Sequence, residues 1–228
     1  MKNFEYNPLR ETVLDIMDFG GFVNAHAHLD RAYTVTRKSL AHANDHLFKK
    51  WTFVDEIKSK SNVEDYKTRI STALANQTFL RTQAVCSFVD IDPICGQNAL
   101  VARLSAHEYE EQIRLIIACQ TLKGVLDKTA RRTLEASLED VDIIGSLPGA
   151  DPGKEDKHLD VVMMWAKSLG KRLHVHVDQL NSPLERETEL LARKTMQHGL
   201  EGHVTAIHSI SLAAHKKAYR REVYKMAS

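Results

Sequence analysis

Cysteine is scarce in this chain: Cys86, Cys95 and Cys119 are the only three, and no two are spaced as a CxxC pair. That excludes a disulfide framework and a thiolate zinc site and leaves them as buried thiols. It also excludes the zinc deaminases built on H-x-E with P-C-x-x-C. An excess of one charge is missing too. The 31 basic and 30 acidic residues give a formal charge of +1 with no long run of one sign. Nucleic acid and anionic membranes are therefore not the expected partners. There is no run of 18 or more apolar residues and no basic-plus-apolar leader, so the expectation is a soluble, cytoplasmic protein.

What the chain has is a set of short apolar runs that end in histidine. In Gly21-Phe22-Val23-Asn24-Ala25-His26-Ala27-His28-Leu29-Asp30, the two histidines are two apart. On a strand that spacing puts both imidazoles on one face, which makes a chelating half-site for a zinc-like ion. Arg172-Leu173-His174-Val175-His176-Val177-Asp178-Gln179 repeats the arrangement, and His203-Val204-Thr205-Ala206-Ile207-His208-Ser209 ends in a further histidine.

Six strands are expected, at residues 22–28, 84–91, 113–119, 141–147, 173–178 and 203–208. Helix-like segments at 98–109, 129–139, 158–169, 183–198 and 214–225 alternate with them, after a long polar, helical stretch that runs to about residue 82. Gly170 and Gly199 stand where C-caps are wanted, and Pro183 suits a first helical turn. Apolar strands separated by amphipathic helices mean a parallel α/β sheet, either doubly wound or a (β/α)8 TIM-type barrel. The polar residues favour the barrel. His26, His28, Asp90, Asp92, His176, Asp178 and His208 cluster at C-terminal strand ends, which a barrel gathers around one mouth. Only about six of eight β/α units are visible, so the barrel reads as truncated after its sixth, with open edges on strands 1 and 6. Residues 1–20 read as a short N-terminal segment, the remnant of a small β domain or a linker, and 21–228 as the partial barrel.

Five ordered motifs resemble the amidohydrolase superfamily in its cytosine-deaminase-like, N-isopropylammelide amidohydrolase-like branch. They are the H-x-H run at 22–30, Cys86-Ser87-Phe88-Val89-Asp90, Val141-Asp142-Ile143-Ile144-Gly145-Ser146-Leu147-Pro148, His174-Val175-His176-Val177-Asp178-Gln179, and Val204-Thr205-Ala206-Ile207-His208-Ser209. The resemblance implies His26, His28 and His176 as ligands of one divalent metal ion, zinc or iron. It implies His208 as the catalytic histidine that polarises substrate or steadies the attacking water. His174 shares the face of His176 but lies deeper.

The implied chemistry is hydrolysis of a non-peptide C–N bond in a small cyclic or amide-type nitrogen compound by a metal-activated water. Asp178 and Gln179 sit at the catalytic end of strand 5. Gln179 replaces the branch's proton-shuttling glutamate, and an amide cannot do acid–base work. This weighs against the alternative reading, a nucleobase or cytosine-type deaminase. Gln120, Asp90 and Asp151 are candidate substrate contacts, with helix capping or turn formation the competing role for the aspartates.

The branch's last ligand, an aspartate ending strand 8, has no counterpart among these motifs, so a further alternative is a metal-binding fragment without turnover, with little activity expected of the isolated monomer. The expected partners are a small-molecule substrate and, for the open edges, a second copy in a homo-oligomer. His42, His46, His107, His158, His198, His203 and His215 are expected on the surface or in packing. Trp51 and Trp165 are expected in the core or a substrate wall, and residues 216–225 on a solvated helix face.

Overall fold

The computed structural model describes residues 7–42, 44–106 and 111–227. Helix α1 (Pro8–Asp18) precedes β1 (Phe22–Ala27), and helices α2 (Arg37–Leu40), α3 (Leu47–Lys60) and α4 (Val63–Phe79) lead to β2 (Thr82–Asp90). Then come α5 (Ala102–Ala106), β3 (Arg114–Gln120), α6 (Lys128–Glu135), β4 (Ile143–Ser146), α7 (Glu155–Leu169), β5 (Arg172–Val177), α8 (Glu187–His198), β6 (Val204–His208) and α9 (Lys217–Ala227). All six expected strands are present. They form one parallel sheet in the order β1-β2-β3-β4-β5-β6. A doubly wound sheet reverses its strand order at a switch point, whereas a barrel does not. The consecutive order therefore decides for a partial TIM-type barrel. No described helix is long and apolar enough to cross a membrane.

The alternation along each strand sorts two cores. Val85, Val89, Ile117, Cys119, Ile144, Leu173 and Val175 face the helices and pack with Ile70, Leu74, Leu134, Leu159 and Met163. Cys86, Phe88, Ala118 and Ile143, with Ile116 and Ile207, fill the inside of the curl. Fully burying one such aliphatic side chain stabilises by about 1.5–3 kcal/mol. Inside the curl, space is tight at Gly145, where a Cβ would lie 1.8 Å from the Cys119 carbonyl oxygen and 3.0 Å from the Phe88 ring. Gly145→Ala is expected to cost about 3 kcal/mol, the top of the overpacking range, in urea unfolding. A loss below ~1 kcal/mol would show that β3 and β4 separate easily.

Gly170 and Gly199 take left-handed conformations (φ 63° and 64°) that close α7 and α8. Trp165 belongs to the helix-side core, and all three cysteines are buried free thiols. Three helices depart from expectation, the one expected at 129–139 by ending at Glu135. The segment expected from 98 opens as a 3-10 turn, Asn98–Val101, before α5; its end and His107 lie outside the described residues. Helix α8 starts at Glu187 rather than at Pro183, which occupies a preceding turn. The cause is Asp178, whose carboxylate accepts the backbone N–H groups of Glu187 and Thr188 and so fixes where the helix begins.

Candidate active site

Three imidazoles meet at the C-terminal end of the sheet. β1 presents His26 and, one residue past its end, His28; β5 presents His176. One ring nitrogen from each lies within 4.8 Å of the others. The ring centroids are 5.1 Å apart for His26–His28 and for His26–His176, and 5.8 Å for His28–His176. Phe88 floors the cluster, its centroid 4.7 Å from His176, 4.8 Å from His26 and 5.7 Å from His28. His174 lies one inward step deeper on β5, with its ring 6.2 Å from that of Phe88.

Burial keeps the imidazoles uncharged. It lowers His28 to about 2, with Arg31 adding to the effect, and His176 to about 3, with His26 adding to it. His26 is lowered as well, by burial first and then by His208. A neutral imidazole is the form that ligates a metal. His26 Nδ1 and His176 Nε2 are buried with no hydrogen-bond partner. His176 Nδ1 points to the Ser146 carbonyl at 3.4 Å, which fixes the ring with Nε2 toward the cluster. Arg31 Nη2 donates to His28 Nδ1 at 2.5 Å and anchors that ring. Three uncharged imidazoles, two with orphaned nitrogens, suit a zinc-like ion.

His208 joins the cluster by a different route. Its ring lies 5.2 Å from His176 and 5.9 Å from His26, at the open side of the curl. His208 and Ser209 both have positive φ (74° and 50°), as does Asp178 (51°). Strained backbone of this kind gathers at functional sites. Ser209 is held by its N–H to the Val177 carbonyl and by a hydroxyl contact with Thr188 at 2.9 Å.

The carboxylates divide sharply. Asp178 is fully buried, and both its oxygens are used to cap α8: Oδ1 by Glu187 N, Oδ2 by Thr188 N and Oγ1. Asp151 is likewise occupied. Its Oδ2 accepts from Val125 N, Leu126 N and His158 Nδ1, and His158 in turn meets Ser146 Oγ at 2.8 Å. The hydrogen bond from His158 holds the Asp151 carboxyl below its ordinary range despite burial. Asp151 thus clamps the loop after β3 instead of reaching the mouth. Gln179 lines a small cavity with Trp51, His46, Gly149 and Glu187.

Asp90 and Gln120 stand together on the inner face. They are register partners at the ends of β2 and β3 and are 0% and 3% exposed. Asp90 also faces Lys58 Nζ at 3.5 Å and Arg31 at 3.8 Å. Lys58 further contacts Asp92 at 2.5 Å and Asp55 at 3.1 Å, and Asp55 pairs with Lys123. Neither Arg31 nor Lys58 stands out in the sequence, because Lys58 arrives from α3, part of the inserted helices after β1.

Glu187 is a strongly perturbed acid near the mouth. Burial, with Asp178 and Glu185 adding repulsion, pushes it up to about 7, although Oε2 accepts the Asp178 N–H. Its folded value lies above its unfolded one, so it costs stability as pH rises from about 4.5 to 7. Glu187→Gln keeps an acceptor for Asp178 N and removes the charge. The variant is expected to gain on the order of 1 kcal/mol over the native protein at pH 8, after allowance for solvent screening, and nothing at pH 4.5. Equal urea midpoints of the two proteins at pH 8 would sink the prediction.

Comparison with known proteins extends this picture. No family model matches the chain. It is 44% identical over 216 residues to an uncharacterized protein of Haemophilus influenzae, covering 92% of this chain and 78% of that one. It is 24% identical over 199 residues to the N-isopropylammelide isopropyl amidohydrolase of Pseudomonas sp. (strain ADP), covering 83% of this chain and 49% of that one. Its fold matches 5-methylcytosine deaminase from Klebsiella pneumoniae with a TM-score of 0.82 and 24% identity, over 91% of this chain and 51% of the deaminase. The chain thus spans about half the length of these last two proteins. The chain shares its fold with 5-methylcytosine deaminase and, over most of both chains, its sequence with the Haemophilus protein.

Proposed function

We propose that this protein is a metal-dependent amidohydrolase acting on a non-peptide C–N bond of a small cyclic or amide-type nitrogen compound, with residues 21–228 as its catalytic unit. The observation that carries the reading is the cluster of three uncharged imidazoles, two with orphaned nitrogens, at the C-terminal end of the sheet. His26, His28 and His176 hold one divalent ion, zinc or iron. When bound, such an ion supplies Lewis-acid activation of water near neutral pH.

The chain's own residues do the rest. His208, beside His176 and His26, passes a proton to the departing amine or steadies the attacking water. Gln179 orients but exchanges no proton. Asp90 and Gln120 line the wall that receives the substrate. Asp178 and Asp151 support this arrangement through the start of α8 and the loop after β3.

The test is release of amine or ammonia by the zinc-loaded protein from N-isopropylammelide and from 5-fluorocytosine, followed by chromatography. Turnover of the first with loss of isopropylamine is expected, and His208→Asn should lower it about 100-fold or more, the scale of acid–base catalysis. A loss below tenfold would remove His208 from the chemistry. A deaminase is the second reading, favoured by the fold match to the Klebsiella enzyme. Ammonia release from 5-fluorocytosine that appears only in Gln179→Glu would decide for that lineage. Metal uptake with no turnover on either compound would leave a binding barrel.

A further inference from the structure

We infer that the hydrogen-bonded chain Asp151–His158–Ser146 positions the metal site from outside the barrel: it holds the Ser146 carbonyl where that carbonyl orients His176. The inference rests on His26, His28 and His176 as the metal site and adds three positioning residues, none of them a ligand.

The proton order along the chain follows from its far end. Asp151 Oδ2 accepts the N–H groups of Val125 and Leu126, and a carboxylate has only acceptors to offer. His158 Nδ1, 2.7 Å from the same oxygen, is therefore the protonated nitrogen. In the uncharged ring Nε2 is then bare, and the Ser146 hydroxyl donates to it at 2.8 Å. Each hydrogen bond sets the direction of the next. His158 is fully buried and Ser146 is 2% exposed, so water does not compete for these groups.

Strand pairing shows why Ser146 needs this anchor. β4 is four residues long and pairs with β3 only at Ile143 and Ile144. Ser146 lies past that ladder, paired on its β5 side alone, and the chain turns off at Pro148. Ile143 faces the inside of the curl and Ile144 the helices, so alternation sends the Ser146 side chain out to His158 on α7. Its carbonyl meets His176 Nδ1 at 3.4 Å. A contact of that kind on the second nitrogen of a ligand imidazole sets its tautomer and its aim. The same three residue types make a nucleophile in acyl-transfer enzymes. Here the hydroxyl is sealed beneath α7, on the face away from the histidine cluster, so positioning is the role left to it. The plainer role is to brace α7 on the sheet, which would affect stability and leave metal affinity alone.

The test is the zinc affinity of the folded full chain, by competition with a chromophoric chelator, with the absorption bands of bound cobalt as a second readout. His158→Phe keeps a ring without its hydrogen bonds, and zinc affinity should fall about tenfold or more, the scale for losing an outer partner of a ligand. The cobalt bands should shift with it, because they report how the ligands are arranged. His158→Gln offers one donor and one acceptor and should recover most of both. Should His158→Phe not fold, Ser146→Ala deletes the hydroxyl but leaves the carbonyl, and the same loss is expected. Lys171→Met is the control. It removes hydrogen bonds to the Leu138, Glu139 and Val141 carbonyls just ahead of β4, loosening the strand's other end, and should bind zinc like the native protein. Native affinity and native cobalt bands in His158→Phe or, failing that, in Ser146→Ala overturn the inference and spare the metal site. An equal loss in Lys171→Met overturns it too, since any loosening of β4 would then suffice. A native protein that takes up no zinc overturns the site beneath it.

Discussion

Protein purified without chelator is expected to carry close to one zinc or iron per chain, and His176→Ala to lose it. The three nitrogens of His26, His28 and His176 already lie within 4.8 Å of one another, with His176 oriented by the Ser146 carbonyl and His28 by Arg31. Little reorganisation is then required, which is what separates a site from a coincidence of histidines. Removing an outer partner of a ligand typically costs 10–100-fold in affinity, so removing a ligand itself should cost more than about 100-fold. Two controls make the result specific. His174→Ala should leave uptake unchanged, because His174 lies one step deeper, outside the three histidines whose ring nitrogens converge. His208→Ala should also retain the ion, since that ring borders the cluster without belonging to it. Metal content by elemental analysis, with circular dichroism to confirm folding, reads all three variants. Equal uptake by His176→Ala and the native protein would sink the metal site.

Much of this was legible from period-2 alternation. His26 with His28, and His174 with His176, fall on one face because side chains two apart on a strand do so. The six parallel strands were legible for the same local reason: apolar runs bounded by helix caps. His208 shows where that logic stops. Its register partner is Val177, which faces the helices, while the inward neighbour of His176 on β6 is Ile207. Alternation alone would turn His208 away from the mouth. The left-handed backbone at His208 and Ser209 brings it back, and no sequence period records that. The strand-end aspartates show a second limit. Asp90 and Asp178 look alike in sequence, yet one faces two cations inside the curl and the other caps a helix nine residues on. Which it does depends on who arrives from elsewhere in the chain, and Lys58 arrives from an inserted helix that strand patterns do not describe.

That inserted lysine carries the second large expectation. Lys58→Met should destabilise the protein by about 3–5 kcal/mol at pH 7, the range for breaking a buried pair from one side. The Lys58 side chain is 1% exposed, and Asp90 and Asp92 beside it are fully buried. Methionine fills most of the volume, so the loss reports charge more than packing. The pH dependence separates the two causes. Burial would raise Asp92, but Lys58 outweighs it and holds the carboxyl below its ordinary range. In the native protein Asp92 therefore contributes stability that is present above its unfolded value, about 3.9, and is lost as pH falls through its lower folded value. Without Lys58 the sign reverses. Burial then raises Asp92, which costs stability as pH rises above about 4. The gap between native protein and variant should be widest at pH 7 and narrow markedly by pH 4.5 in urea titrations. A gap of the same size at both pH values would mean that Lys58 matters for its hydrocarbon stem.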